Sequence, residues 1–419
     1  MNMTKISTLL TSIALASTPI FAQAYQIGPN PNPVGNTIDV LSSDAEASNF
    51  TNWGVLHIGN RGVLDMNRTD DAMPWIGLDN QLGGTLNVDI GGTLAGDNMA
   101  LYNNGTLNNS GALTLSGGEL RNKSEGIINN SGTMDIFSSI NYGTLSNNLG
   151  GTINVYGFPG LINYGTINNY DKLSVSGDLY NTAGATFVNH GIMNNTDNVG
   201  NIINELDGTV TNNGTIDLLF FTNFGTINGS GNINIGWTGF WNFNYGNINQ
   251  ASFHVNQGGL GGNGTFTGDT TIDREATISP TEISSPISTL TFNGEFHSSG
   301  GLLIDISGLE VEQYDAFVIN GSADFTGGNI VFNFTNGFRP SVGDHWNFLL
   351  ADNITGLDSL NVGFSGLHYS EIKGDLTIDS LGGHLEITTA VPEPETYAML
   401  LAGLGLLGFV AHRRKTIAI

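Results

Sequence analysis

Asp70 and Asp71, in the run Asn67-Arg68-Thr69-Asp70-Asp71, are adjacent carboxylates. Glycoside hydrolysis needs two carboxyl groups about 5 or about 6.5–9.5 Å apart. This pair stands beside Arg68 in a polar segment without alternation, and it reads as a solvated turn. His190 is a candidate general base. Its slot in a recurring phrase is filled elsewhere by Tyr164, Asn213 or Phe224, which points to a stacked surface residue. Asp344-His345 reads as a turn entering a strand. Proton abstraction from an acidic sugar would need a cationic cleft, yet the Lys and Arg residues between 80 and 260 are Arg121, Lys123 and Lys172, widely scattered. The chain has no cysteine, which excludes a thiol nucleophile, a disulfide and a thiolate zinc site. No Gly-x-Ser-x-Gly elbow and no histidine pair at metal-ligand spacing occurs. The sequence predicts no catalytic residue, no metal site and no cofactor; the protein is expected not to be an enzyme.

The elements that would carry such residues are repeats. Asn103-Asn-Gly-Thr-Leu107 recurs as Asn141-Tyr-Gly-Thr-Leu145, Asn163-Tyr-Gly-Thr-Ile167, Asn189-His-Gly-Ile-Met193, Asn212-Asn-Gly-Thr-Ile216, Asn223-Phe-Gly-Thr-Ile227 and Asn244-Tyr-Gly-Asn-Ile248. Spacings cluster near 21 to 26 residues with half-steps near 11, in the range of solenoid repeats. Gly turns the chain, Thr-Ile or Thr-Leu opens a short strand, and Asn closes it. Each coil exposes a strand edge that only the next coil satisfies, and Asn side chains can form amide ladders at the corners. Gly contributes 59 residues and Asn almost as many, while charged residues are only 12% of the chain. That excludes a helical or coiled-coil protein. The formal net charge of −25 excludes nucleic acid as a partner. Gly258–Phe266 resembles the calcium-binding nonapeptide of β-rolls, but it occurs once, with Asn263 where that motif needs Asp. Trp237, Phe240, Trp241, Phe243 and Tyr245 could stack on sugar rings, although the sequence favours their plugging the last coils.

From Asp269 to Thr389 the phrase fades and longer alternating strands replace it, as in Ser288–Phe296, Asp315–Phe334 and His384–Thr389. Period-2 patterning with Asn-Gly and Gly-Gly turns predicts an antiparallel end that closes the solenoid. With Ile278-Ser-Pro280 and Tyr314-Asp-Ala-Phe-Val-Ile-Asn-Gly321, this segment resembles the region closing autotransporter passenger domains, without a translocator barrel after it.

Both ends read as addresses. Lys5, an apolar run from Ile6 to Phe21, and Ala22-Gln23-Ala24 have the order of a secretory signal peptide cut after Ala24. At the other end stand Val391-Pro392-Glu393-Pro394, then Thr396, an uncharged stretch from Tyr397 to Ala411, and the membrane stop Arg413-Arg414-Lys415. This order resembles the PEP-CTERM sorting signal. The resemblance implies an exosortase-type membrane protease as partner, which cuts near the Pro-Glu-Pro after transient anchoring in the inner membrane. It also implies association with exopolysaccharide and biofilm.

The expected fold is all-β: a right-handed parallel β-helix, then a smaller antiparallel β cap, with an N-terminal signal helix and a single C-terminal hydrophobic helix. The expected divisions are a signal peptide at 1–24, a leader at 25–48, β-helix repeats at 49–268, a cap at 269–390 and the sorting signal with a transmembrane helix at 391–419. The expected function is that of an exported structural or adhesive protein of the cell surface or extracellular matrix. The alternative is a β-helix polysaccharide lyase or glycosidase acting on matrix glycans.

Overall fold

Four-residue strands that bury every second residue cannot satisfy their backbones alone, and here each is paired above and below in parallel. Thr85–Val88 lies between Val55–Ile58 and Thr106–Asn109, with Leu56, Leu86 and Leu107 in register. The computed structural model describes residues 25–43, 45–47, 49–66, 76–194, 201–281, 287–367, 369–379, 382–392 and 399–407. Through most of the chain each coil contributes three strands, and the whole forms a parallel β-solenoid of about 12 turns. On one wall the interior column runs Leu86, Leu107, Ile128, Leu145, Ile167, Phe187, Val210, Ile227, Ile248, Phe266 and Phe292. All of them are at most 2% exposed, so one apolar core extends along the axis.

The Asn of the repeated phrase points inward at the corner. From Asn32 through Asn52, Asn80, Asn103, Asn122, Asn141, Asn163, Asn181, Asn204 and Asn223 to Asn244, each Nδ2 donates to the Oδ1 of the next at 2.7–2.9 Å. A second column runs Asn109, Asn130, Asn147, Asn169, Asn189 and Asn212, then ends on Gln250 Oε1. The same amide nitrogens also donate to the carbonyl that opens the next coil's strand, as Asn80 does to Thr106 and Asn141 to Thr166. These buried amides are thereby paired on both sides, except at the head of the second column, where Asn109 Oδ1 has no partner. The phrase thus serves two corners rather than one, which is why half-steps appear in its spacing. Successive asparagine rungs lie 17 to 28 residues apart, and the closing step from Asn212 to Gln250 spans 38.

Glycine in the phrase answers to space. Gly143 and Gly165 have no positive φ, but a Cβ at either would run into the carbonyl of the preceding corner.

The antiparallel end is smaller than the sequence suggested. Thr265–Pro280, Thr289–Asn293, Gly301–Ile306, Ala316–Phe325, Asn329–Phe334 and Asn361–Ser365 all pair in parallel. Among the described residues, antiparallel ladders join Gly382–Pro392 to His345–Thr355 and to Tyr369–Asp379, and one isolated antiparallel bridge joins Ile306 and Tyr314. Alternation reports that one face is buried and is silent on strand direction, so Asp269–Thr389 could not be assigned from it. At the other end the expected leader already carries coil structure, with Tyr25–Gln26 paired to Ala45–Glu46 and Thr37–Val40 to Val55–Ile58.

Candidate functional site

The tail grows directly out of the body. Gly382–Pro392 pairs with Tyr369–Asp379, setting Val391 opposite Glu371 and Pro392 opposite Tyr369. The fold therefore holds the first residues of the sorting motif by backbone pairing. Glu393, Pro394 and Thr396 lie outside the described residues, as do Arg413, Arg414 and Lys415 and, at the N-terminus, Ala22 and Ala24. Residues 399–407 form a helix. Its apolar side chains are open to solvent, among them Met399 at 75% exposed and Leu401 at 68%. Among the described residues no helix is long and apolar enough to cross a membrane, whereas the sequence predicted a span from Tyr397 to Ala411.

The tail matches the family model described as the PEP-CTERM protein-sorting motif over residues 390–415. This chain ends in a PEP-CTERM signal. The PEP-CTERM signal is the one exosortase recognises, and it implies export with membrane-anchored sorting. No curated protein matches the chain. Among solved structures it is similar to the crystal structure of the TibC-catalysed hyper-glycosylated TibA55-350 fragment, an autotransporter passenger fragment. The identity is 14%, over 81% of this chain and 98% of that one, at a TM-score of 0.20. The solenoid assignment rests on the parallel register itself.

The candidates for chemistry are dispersed around the body. Asp70 and Asp71 lie outside the described residues with Arg68. His190 stacks on Tyr170, centroids 5.2 Å apart and planes within 3°, as its slot in the repeat predicted. Asp344 Oδ2 accepts the Ser341 N–H at 2.7 Å and closes the turn before His345–Thr355. Gly258–Phe266 is divided between the strands Asn247–Gly262 and Thr265–Pro280. Among the described residues no group of three His, Asp or Glu is placed to hold a metal ion.

Two of the three scattered cations do meet. Arg121 and Lys123 lie 5.3 and 5.1 Å from the centre of the Tyr102 ring. Glu119 pairs with Arg121 at 2.7 Å and Asp79 with Lys123 at 3.6 Å, so no cationic cleft results. Tyr102 and Arg121 occupy matching outward positions of neighbouring coils, so only the coil register brings them together.

Sequence reasoning missed three groups. His57 bridges Asp39 at 2.8 Å and Asp89 at 2.7 Å, and these hydrogen bonds raise its pKa above the usual histidine value. His384 faces Asp379 at 3.3 Å in a recess of about 300 Å³ shared with His345 and Glu386. Asp315 is wholly buried, and burial pushes its carboxyl up to about 8 although it accepts the Ser288 and Asp305 N–H groups. The partners lie 18 and 32 residues from His57 and 10 and 27 from Asp315 along the chain, and no phrase marks these positions.

Three of the five clustered aromatics depart from their expected role, while the side chains of Trp237 and Phe240 lie outside the described residues. Trp241 is 39% exposed, and Phe243 and Tyr245 are half-buried, all on the outside of the solenoid, where they plug nothing.

Proposed function

We propose that this chain is a non-enzymatic structural and adhesive element of the cell surface or extracellular matrix, delivered through its sorting tail and associated with exopolysaccharide. The observation that carries the reading is the union of a long, regular solenoid with a PEP-CTERM signal whose first residues close its last strand. A rod of stacked coils repeats one surface many times, which suits weak multivalent contact with a polymer.

The test is the intact mass, with C-terminal peptide mapping, of the protein in membrane and extracellular fractions of its host. A product beginning at Tyr25 and ending near Pro392–Pro394 in the extracellular fraction is expected. A Pro392→Ala, Glu393→Ala variant should remain full-length in the membrane. Full-length wild-type protein held only in the membrane would overturn the reading. So would turnover of a matrix glycan by the purified chain that is abolished when Asp70 and Asp71 are changed to Asn.

A further inference from the structure

Short polar side chains share the outer wall with exposed aromatic pairs such as Tyr142 on Tyr164 and Tyr170 on His190, and one run of rings is longer than these. Trp241 and Phe243 alternate along the end of the strand Asn232–Asn244, Tyr245 follows at the corner, and Phe224 holds the same corner one coil earlier. Their rings lie in near-parallel planes. Trp241 and Phe243 are 6.5 Å apart at 20°, Phe243 and Tyr245 5.7 Å at 7°, and Tyr245 and Phe224 5.2 Å at 18°.

The next coil sets Gly259 opposite Trp241 and Gly261 opposite Phe243. Neither glycine has a positive φ, so the backbone does not require glycine there. Their neighbours do. A Cβ at Gly259 would overlap the Trp241 indole; one at Gly261 would meet Thr281 Cγ2 first, at 2.6 Å, and stand 3.2 Å from the Phe243 ring. The Trp241 indole is therefore laid on bare backbone, and the residue remains 39% exposed. Buried Asn242 pins the strip from beneath: its Nδ2 donates to the Gly259 carbonyl at 2.9 Å, and its Oδ1 accepts the Phe221 N–H at 2.8 Å.

We propose that this strip binds a linear neutral polysaccharide built of β-linked pyranoses with equatorial substituents. Such sugars present flat C–H faces that fit aromatic rings, and successive residues can meet successive rings. The inference rests on the reading of the chain as a matrix protein and names the site at which it would hold glycan. A net charge of −25 opposes a polyanionic glycan. The same charge opposes a second copy, and a stable interface buries about 800 Å² per partner. Four aromatic side chains bury roughly 150–250 Å² each when fully covered. These are already partly covered and offer much less.

The test uses the full chain in native gels containing hydroxyethylcellulose or alginate, with tryptophan fluorescence titration against the same polymers. Hydroxyethylcellulose should retard the wild type. Trp241→Ala should weaken its apparent affinity at least tenfold without changing the thermal melt, and Trp241→Phe should keep most of the binding. Gly259→Ala, which displaces the indole, should also weaken binding, but add nothing in a Trp241→Ala background. No retardation, equal retardation of Trp241→Ala, or preference for alginate would overturn the proposal. A wild-type dimer in sedimentation that Trp241→Ala dissolves would overturn it in favour of a second copy. Released protein that ignores hydroxyethylcellulose would sink this site and leave the matrix reading standing. Glucan binding by a chain that stays full-length in the membrane would do the reverse.

Discussion

The coils from Asn52 to Asn244 and those from Thr265 onward build the same parallel wall by different means. In the first set aliphatic residues such as Leu107, Ile128 and Leu145 stack inside, and buried amide columns fix two corners. In the second the interior turns aromatic, with Phe266, Phe292, Phe317, Phe332, Phe348 and Trp346 buried. The main Asn column ends where Gly262 stands opposite Asn244. Beyond it, cross-coil side-chain bonds such as Asn320 to Asn293 and Thr355 to Asp324 lie on the exposed outside, 27 and 31 residues apart. A rung that holds a corner permits a short coil with a narrow filling. Without it the coil widens, and larger side chains must close the space.

Breaking the aromatic half should have the largest effect. Phe332→Ala removes a ring packed against Phe348 and Phe364 and should cost about 3–5 kcal/mol, read from urea unfolding. Because a solenoid couples mainly to nearest neighbours, amide exchange should accelerate around Phe332 and stay slow near Asn103. The amide half is tested by Asn163→Ala. This strips a partner from Asn141, from Asn181 and from the Thr186 carbonyl, and should cost about 2–3 kcal/mol. An equal loss from removing exposed Asn320 would erase the proposed contrast between the halves.

The pH dependence sharpens the comparison. Asp315 keeps its proton in the folded chain up to about 8 and would lose it near 3.8 when unfolded. Its stabilising contribution is therefore full below 3.8 and declines as pH rises toward 8. Asp315→Asn should flatten that decline in the melting temperature of the aromatic half. His57 contributes least. Its pKa is raised by Asp89 and Asp39, so its contribution is full below 6.5 and fades as pH rises through the folded value. Both carboxylates are about half exposed, which limits the gain to below about 1 kcal/mol. His57→Gln should remove that fading from amide exchange in the first coils and leave the Asp315 region unchanged.

Much of this was legible because the physics is local. Asn-x-Gly-Thr names a buried amide, an exposed corner, a point of close approach and a strand start within four residues, and Asn141–Thr144 has each of them. The sorting tail was legible for the same reason, as a linear order of Pro-Glu-Pro, apolar stretch and cations. Strand direction past Asp269 was hidden because alternation carries no sense of direction. The outward strip was hidden because Trp241 shows its purpose only when Gly259 is set beside it by the register. The Asp39–His57–Asp89 bridge was hidden likewise, in coils that lack the phrase.

The rungs keep a constant bond length while the chain between them varies. Tyr142-Gly143 turns a corner that Gln81–Gly84 turns with twice as many residues, and the amides on either side still meet at 2.7–2.9 Å. A gene encoding such a body can gain or lose a whole coil by unequal exchange between near-identical phrases, since any rung mates with any other. The length of the solenoid is in that sense an adjustable inherited trait, altered in steps of one coil without redesign of either end.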